Sequence, residues 1–390
     1  MFKSKILNNK VFAVFDISSS SVAGGHVLSQ DKNSCSFLAS ARLDAPLQDD
    51  LNIDRFVSET IKNFNNVISI IKKADVHKPT FLQVVLASPW YSSQTRLIFY
   101  KKEKGSFICT QKIIDDLVSK EVEFVLSNND TSFNFFDKES VIIEKQISQI
   151  KLNGYHTNSP FGKKAESIEI FLTMTISPKK IINLIKDLII REYGTIDIGF
   201  TTSPYTTFIV TRDNFKINGE CMIVDIGEEI TDVAFVKNDL FLYQHSFPIG
   251  TYSLYRQINK NGGGHNSVES KALLESYRLN KLSDNSVNLI DKSIVFFKNE
   301  WQENLQKVLE NGHYGFCIPK NCFLISDQRF EMIFTNVIKN DPFIQHTCSS
   351  GLVNPFFINQ DSLKDKVKSI DDKPVDIPLA VAALFVERII

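Results

Sequence analysis

The sequence predicts an α/β fold made of two related halves, with a strand-rich α+β module inserted into the first. Three observations point to it. Residues 11–27 (VFAVFDISSSSVAGGHV) form an apolar strand run ending in Asp16, then a small-residue turn and a second strand. Residues 221–236 (CMIVDIGEEITDVAFV) repeat the plan with Asp225 at the matching point, half a chain away. Each copy continues into a third strand-like run, 36–41 and 241–247, followed by helix-forming sequence, while the stretch 83–177 between them is richer in strands.

Length and composition agree with this outline. A chain of 390 residues exceeds one ordinary core, and 43% hydrophobic with 23% charged residues is globular chemistry. Lys+Arg number 44 against 45 Asp+Glu, so a net charge of -1 supplies no long-range field for nucleic acid, and no nucleic-acid partner is expected. The six cysteines share no CxxC spacing and the seven histidines form no pair at metal spacing, which argues against a metal site. The longest apolar run, 379–386, falls short of the roughly 20 residues of a membrane helix, and the first ten residues lack a signal-peptide pattern. The expected location is cytoplasmic.

In chain order, residues 52–73 place Phe56, Ile61, Phe64, Val67, Ile68 and Ile71 on one helical face. In the insert, strands are expected at 82–86, 94–100, 140–152 and 167–176, with a helix at 110–126 between the second and third, a βαββ-type plan. Pro178 opens the next helix, whose apolar face carries Ile181, Ile182, Leu184, Ile185, Leu188 and Ile189. Further helices are expected at 268–282, at 291–311, with Ile294, Phe297, Trp301, Leu305 and Val308 on one stripe, and after Pro378.

The two hairpin turns hold the residues with chemical promise. Where nucleotide binds between duplicated halves, turn N–H groups face the phosphates and an Asp positions Mg²⁺ or water. Asp16, Ser18 and Ser19 suit a first turn, and Asp225, Gly227, Thr231 and Asp232 keep the frame D-x-G-x-x-x-T-D of a second. Glu228 and Glu229, however, sit where N–H groups should meet the phosphates. A carboxylate about 4 Å from a phosphate oxygen costs roughly 1 kcal/mol in water and several in a drier cleft. The third turn expected of such a site, Ser326-Asp327-Gln328, has no glycine and adds another acid. Gly262-Gly263-Gly264 follows no strong strand and reads as a surface loop.

The hairpins, the late strand at 322–325 and the last helix resemble the actin/Hsp70-type ATPase superfamily. Within it, residues 144–176 are similar to the segment closing the inserted SHS2 module (subdomain 1C) of FtsA, the bacterial actin-like division protein. Ser159-Pro160-Phe161-Gly162 stands for its D-P-x-G turn and Ile168-Glu169-Ile170 for its L-E-V strand. Residues 225–250 resemble its D-I-G-G-G-T-T-D strand pair and the P-V-G-G turn that follows. PilM, a pilus-assembly relative, shares the architecture.

The resemblance implies duplicated actin-like (ribonuclease-H-like) domains: subdomain 1A at 1–82 and 178–205, the SHS2/1C-like insert at 83–177, subdomain 2A at 206–257 and 321–390, and 2B at 258–320. It implies a cell-division adaptor with ATPase activity lost, linking FtsZ-type filaments to other divisome proteins and self-associating as a dimer or filament. An acidic FtsZ-like tail would meet Arg278, Lys281, Lys292 and Lys298. Membrane attachment would come only through partners, at the inner face of the cell membrane. Mg-ATP at Asp16, Ser18, Ser19, Asp225, Gly227, Thr231 and Asp232 is the cofactor the family would bring. The alternatives are a PilM-like pilus scaffold, taking a short extended peptide in a groove of the insert and first half, and a working actin-like ATPase.

Overall fold

The computed structural model of the chain describes residues 10–30, 34–48, 52–127, 139–215, 219–238, 240–262, 266–310, 318–339, 352–371 and 373–390. The first lobe opens with β1 (Val11–Ile17), β2 (Ser21–Gln30), β3 (Ser34–Asp44), α1 (Ile53–Ala74) and β4 (Phe81–Leu86). The insert follows: β5 (Ser92–Lys101), β6 (Phe107–Ile108), α2 (Gln111–Ser127), β7 (Ser140–Leu152), β8 (Tyr155–His156), β9 (Lys164–Ala165) and β10 (Ser167–Pro178). The chain then returns through α3 (Lys179–Tyr193), β11 (Asp197–Thr202) and α4 (Ser203–Asn214). The second lobe comprises β12 (Glu220–Ile226), β13 (Thr231–Lys237), β14 (Leu240–Phe247), α5 (Thr251–Lys260), α6 (Ser267–Arg278), α7 (Asp284–Glu310), β15 (Asn321–Ile325), α8 (Glu331–Lys339), β16 (Asn354–Phe357) and α9 (Gln360–Leu363). Last come β17 (Val367–Ser369) and α10 (Ile377–Ile389).

The duplication is explicit in the sheets. The first runs β11-β4-β1-β2-β3-β17 and the second β14-β13-β12-β15-β16. In each, three antiparallel strands are followed by two parallel ones, the first laid against the opening strand and the second outside it. The opening strands β1 and β12 are central and covered on both faces, which is why they read as apolar runs without alternation. Asp16 and Asp225 are the next-to-last residues of those strands, so the two turns carry matching acids.

Helices α4 and α10 lie between the sheets. Phe208 and Ile209 of α4 and residues 379–386 of α10 share one core with Phe12 and Val14 of β1 and Cys221 and Ile223 of β12. The long apolar run near the C-terminus is thus a helix buried on all sides. Among the described residues no helix is long and apolar enough to cross a membrane. Helices α1 and α3 cover the other face of the first sheet, and α5 and α7, with Phe297 and Trp301, cover that of the second. The insert sheet, β5-β10-β7-β8, packs Ile98, Ile168, Ile170 and Leu172 against Ile114 and Val118 of α2. It also reaches the second lobe, where the Thr95 and Ser148 hydroxyls donate to the Leu242 and Phe241 carbonyls at 2.7 and 3.2 Å.

Four differences from the sequence reading have physical causes. Strand 82–86, expected in an insert beginning at 83, is β4 of the first lobe, a nearly continuous apolar run suited to its parallel place beside β1, so the insert begins after it. Helix α4 was not expected and runs through the 205/206 boundary; eight of its residues are buried, so no polar stripe marks its period. The segment assigned to subdomain 2A at 321–390 returns to the first lobe, because β17 pairs in parallel with the otherwise open edge of β3. Helix α7 begins at Asp284 rather than 291, its polar first turn (DNSVN) hiding the start. Position 311, where that helix was expected to end, and Gly263 and Gly264 lie outside the described residues.

Close packing of α1 on β2 makes a test of the first lobe. A Cβ added at Gly24 would lie 2.6 Å from the Phe15 ring and 2.8 Å from Val67 Cγ1. Gly24→Ala is expected to destabilise the protein by about 1–3 kcal/mol through overpacking, read as a lower urea midpoint. An unchanged midpoint would show that α1 can shift away.

Candidate functional site

A cavity of about 540 Å³ separates the lobes where the two hairpin turns meet. Asp16, Ser18, Asp225 and Gly227 line it, together with Glu228 and the third-turn residues Ser326, Asp327 and Gln328. The turns are built alike: Ser18 N–H donates to Ser21 O at 2.9 Å, and Gly227 N–H to Ile230 O at 3.0 Å. They approach so closely that a Cβ on Gly227 would stand 3.1 Å from Ser19 Oγ. Gly250 is required within the second lobe itself, since a Cβ there would sit 2.4 Å from Glu228 O of the neighbouring turn. The start of α5 seals the second turn, with Thr251 and Tyr252 N–H donating to Gly227 O and Glu228 O at 3.0 and 2.7 Å.

The two glutamates do different things, which corrects the expectation that both press on the same anion site. Glu228 reaches across the cleft: its Oε2 accepts from Ser18 Oγ at 2.7 Å, Ser19 Oγ at 3.2 Å and Ser20 N–H at 3.1 Å. It therefore rests in the first turn's own anion cradle. Glu229 turns away, its N–H donating to Ser19 Oγ at 2.9 Å and its carboxylate gripped by Arg256 Nη2 at 2.6 and 2.7 Å. Arg256 Nε in turn donates to Gln48 O of the first lobe at 2.8 Å.

The other predicted residues divide. Asp16 accepts from Arg42 Nη2 at 2.7 Å, and the same guanidinium binds Asp376 at 2.6 and 2.9 Å and Ser21 Oγ at 2.5 Å. Asp225 accepts a short hydrogen bond from Ser203 at the start of α4. Ser19, Thr231 and Asp232 do not line the cavity. Thr231 Oγ1 donates to Ile249 O at 2.6 Å and accepts from Trp301 Nε1 at 3.0 Å, a packing role. Asp232 joins the lobes behind the cleft, accepting from Ser88 N–H at 3.2 Å, Ser88 Oγ at 2.6 Å and Ser246 Oγ at 2.5 Å.

Sequence reasoning missed Arg42, Asp376, Arg256 and Lys271. Only Arg42, a charge inside the half-buried run FLASARL of β3, left a visible signal. Asp327 does face the cavity, yet it caps the short turn at Gln328–Phe330 and is tied to Arg329 at 2.9 Å. In the 2B segment, Arg278 is paired with Glu275 at 3.0 Å, while Lys281 and Lys292 are exposed.

Electrostatically the cavity divides its carboxyls, raising Asp16 and Asp225 and lowering Asp376 and Asp327. Burial, then repulsion from Asp232, pushes Asp225 up to about 8. Burial outweighs Arg42 at Asp16, which rises to about 6. At Asp376 burial is outmatched by Arg42 and the Leu379 N–H, and the carboxyl is held below its ordinary range. Six acidic side chains line the cavity against three basic ones, Arg42, Lys271 and Arg329. Among the described residues no group of His, Cys, Asp or Glu is arranged to hold a metal ion. So disposed, these residues do not fit Mg-ATP: the first turn's donors are engaged by Glu228, and a phosphate chain would enter among acids.

No protein-family model matches the chain, and no curated protein matches it in sequence. Among solved structures it is similar to a PilM-PilN type IV pilus biogenesis complex, at 13% identity and TM-score 0.60 with 97% of each chain covered. More distant matches are the ethanolamine utilization protein EutJ from Carboxydothermus hydrogenoformans, at 11% identity and TM-score 0.44 over 98% of this chain and 90% of that one, and a Bacteroides thetaiotaomicron protein of actin-like ATPase fold and unknown function, at 11% and 0.40 over 99% of each. The chain has the actin-like fold. At such identities the likeness extends to fold alone.

The raised carboxyls give a pH test. Asp16 and Asp225 hold protons in the folded state that the unfolded chain, near 3.8, releases. Their contribution to stability is complete below about pH 4 and is lost as pH rises through about 6 and then about 8. Asp225→Asn keeps an acceptor for Ser203 and removes the buried acid. Its melting temperature is expected to exceed wild type at pH 8, the gap closing toward pH 4; a constant gap would refute the assignment.

Proposed function

We propose that the protein is a nucleotide-independent actin-like adaptor, a scaffold for a membrane-associated assembly rather than an ATPase. The observation that carries the reading is the Glu228 carboxylate seated on Ser18, Ser19 and Ser20, where a phosphate would have to sit. An adaptor of this kind works through its surfaces, and its two lobes need no hydrolysis cycle to be held in place.

Two partner classes follow from the family resemblance. A PilM-like scaffold, suggested by the likeness to the PilM-PilN complex, would hold an extended peptide of a membrane protein. A groove of about 290 Å³ where the insert meets both lobes supports it, lined by Phe200 and Tyr205 of the first lobe, Phe241 of the second and Phe385 of α10, with Glu144 and Lys145 alongside. An FtsA-like division adaptor would instead present the SHS2-type insert to other divisome proteins and take an acidic FtsZ-like tail on the second lobe. The exposed apolar pair Val295 and Phe296 on α7, with Lys292 beside it, favours that second reading.

Calorimetric titration with Mg-ATP tests the loss of nucleotide binding. No heat is expected up to millimolar ATP, and a micromolar Kd would overturn the reading. A peptide array of pilus-type and FtsZ-type tails separates the partners: binding abolished by Phe200→Asp assigns the groove, and binding abolished by Phe296→Asp assigns the α7 patch.

A further inference from the structure

The same carboxylate has a mechanical consequence. The back of the molecule is a continuous apolar core through α4 and α10, shared by both sheets. The front is spanned chiefly by polar contacts, with Leu47 of the first lobe packed against the second lobe's core beside them. Glu228 of the second lobe binds Ser18, Ser19 and Ser20 of the first. Arg256, held by Glu229, donates to Gln48 O, and Tyr252 Oη donates to Ala45 O at 3.1 Å. Lys271 forms an ion pair with Asp44 at the cavity wall. A two-lobed molecule with a packed back and a polar front has a hinge on one side and a clasp on the other.

We propose that Glu228 is a tethered anion that latches the lobes shut, doing permanently what a bound anionic ligand does only while it is present. An anion shared between lobes draws them together because donors on one side are satisfied only when the other side approaches. Here the anion is covalently part of the second lobe and cannot diffuse away, so its effective concentration at the first turn is set by the fold and not by the medium. Glu229 reinforces it through Arg256, so consecutive residues of one turn fasten the lobes at two places, the 18–20 turn and Gln48. The inference rests on the reading of the cleft as closed to nucleotide and adds that closure is the resting state.

Hydrogen exchange on the full-length protein tests the latch, comparing wild type, Glu228→Ala, Glu228→Gln and Ser18→Ala. In Glu228→Ala, exchange is expected to rise about tenfold, equivalent to roughly 1.4 kcal/mol, both in the turn segment 18–21 and at Ser88, whose N–H donates across the lobes to Asp232 and which Glu228 does not touch. Millimolar inorganic phosphate, but not chloride of equal ionic strength, should restore protection in that variant. Glu228→Gln, which keeps an acceptor without the charge, and Ser18→Ala should give the same paired rise at smaller size, and they decide the matter if Glu228→Ala does not fold. A rise confined to 18–21, or no rescue by phosphate, overturns the proposal. Should Mg-ATP bind the wild type, the scaffold reading fails, while the ligand-free exchange of the variants still judges the latch.

Discussion

The contact between Glu228 and the three consecutive serines of the opposite hairpin is the constraint around which the cleft is organised. A carboxylate placed on two hydroxyls and an amide is a strong, charge-assisted arrangement, and it uses donors that would otherwise face solvent or an anion. Its geometry demands that the two turns nearly touch. Gly227 then has to lack a side chain, while Gly250 and the start of α5 hold the second turn from within its own lobe.

The charges around that contact are set first by burial and then by their nearest partners. In so buried a space the remaining acids do not all stay ionised. Arg42 is shared between Asp16 and Asp376, and Asp225 is held by a neutral hydroxyl and kept protonated by burial. Such buried pairs add little to net stability, because desolvation offsets most of the attraction. Their effect is on arrangement: each fixes one element, β3, α10 or the start of α4, relative to the turns. The insert is fastened separately, through threonine and serine hydroxyls on the carbonyls of β14, so it bears on both lobes at once.

Much of the fold was legible from local pattern. The paired hairpins, the βαββ order of the insert and the striped helices α1, α3 and α7 each reveal themselves through a hydrophobic period against solvent. Helix α4 and strand β17 did not. One is buried on every side and has no polar face to set the period; the other is three residues long and is a strand only because β3 offers an edge. Asp16 and Asp225 could be found because duplication repeats them, whereas Arg42, Arg256, Lys271 and Asp376 come from separate segments that share no motif.

What the chain determined by itself is the duplicated plan, the matching aspartates and the presence of two glutamates in the second turn, since all of these are encoded within a few neighbouring residues. Which way those glutamates point was decided by tertiary structure alone. Only when β12 stands beside β1 across the cleft does Glu228 meet serines two hundred positions earlier, while Arg256, one helix further on, draws Glu229 aside. Charge sequence reports how many acids a turn holds; the donors that neutralise them are supplied by distant parts of the chain.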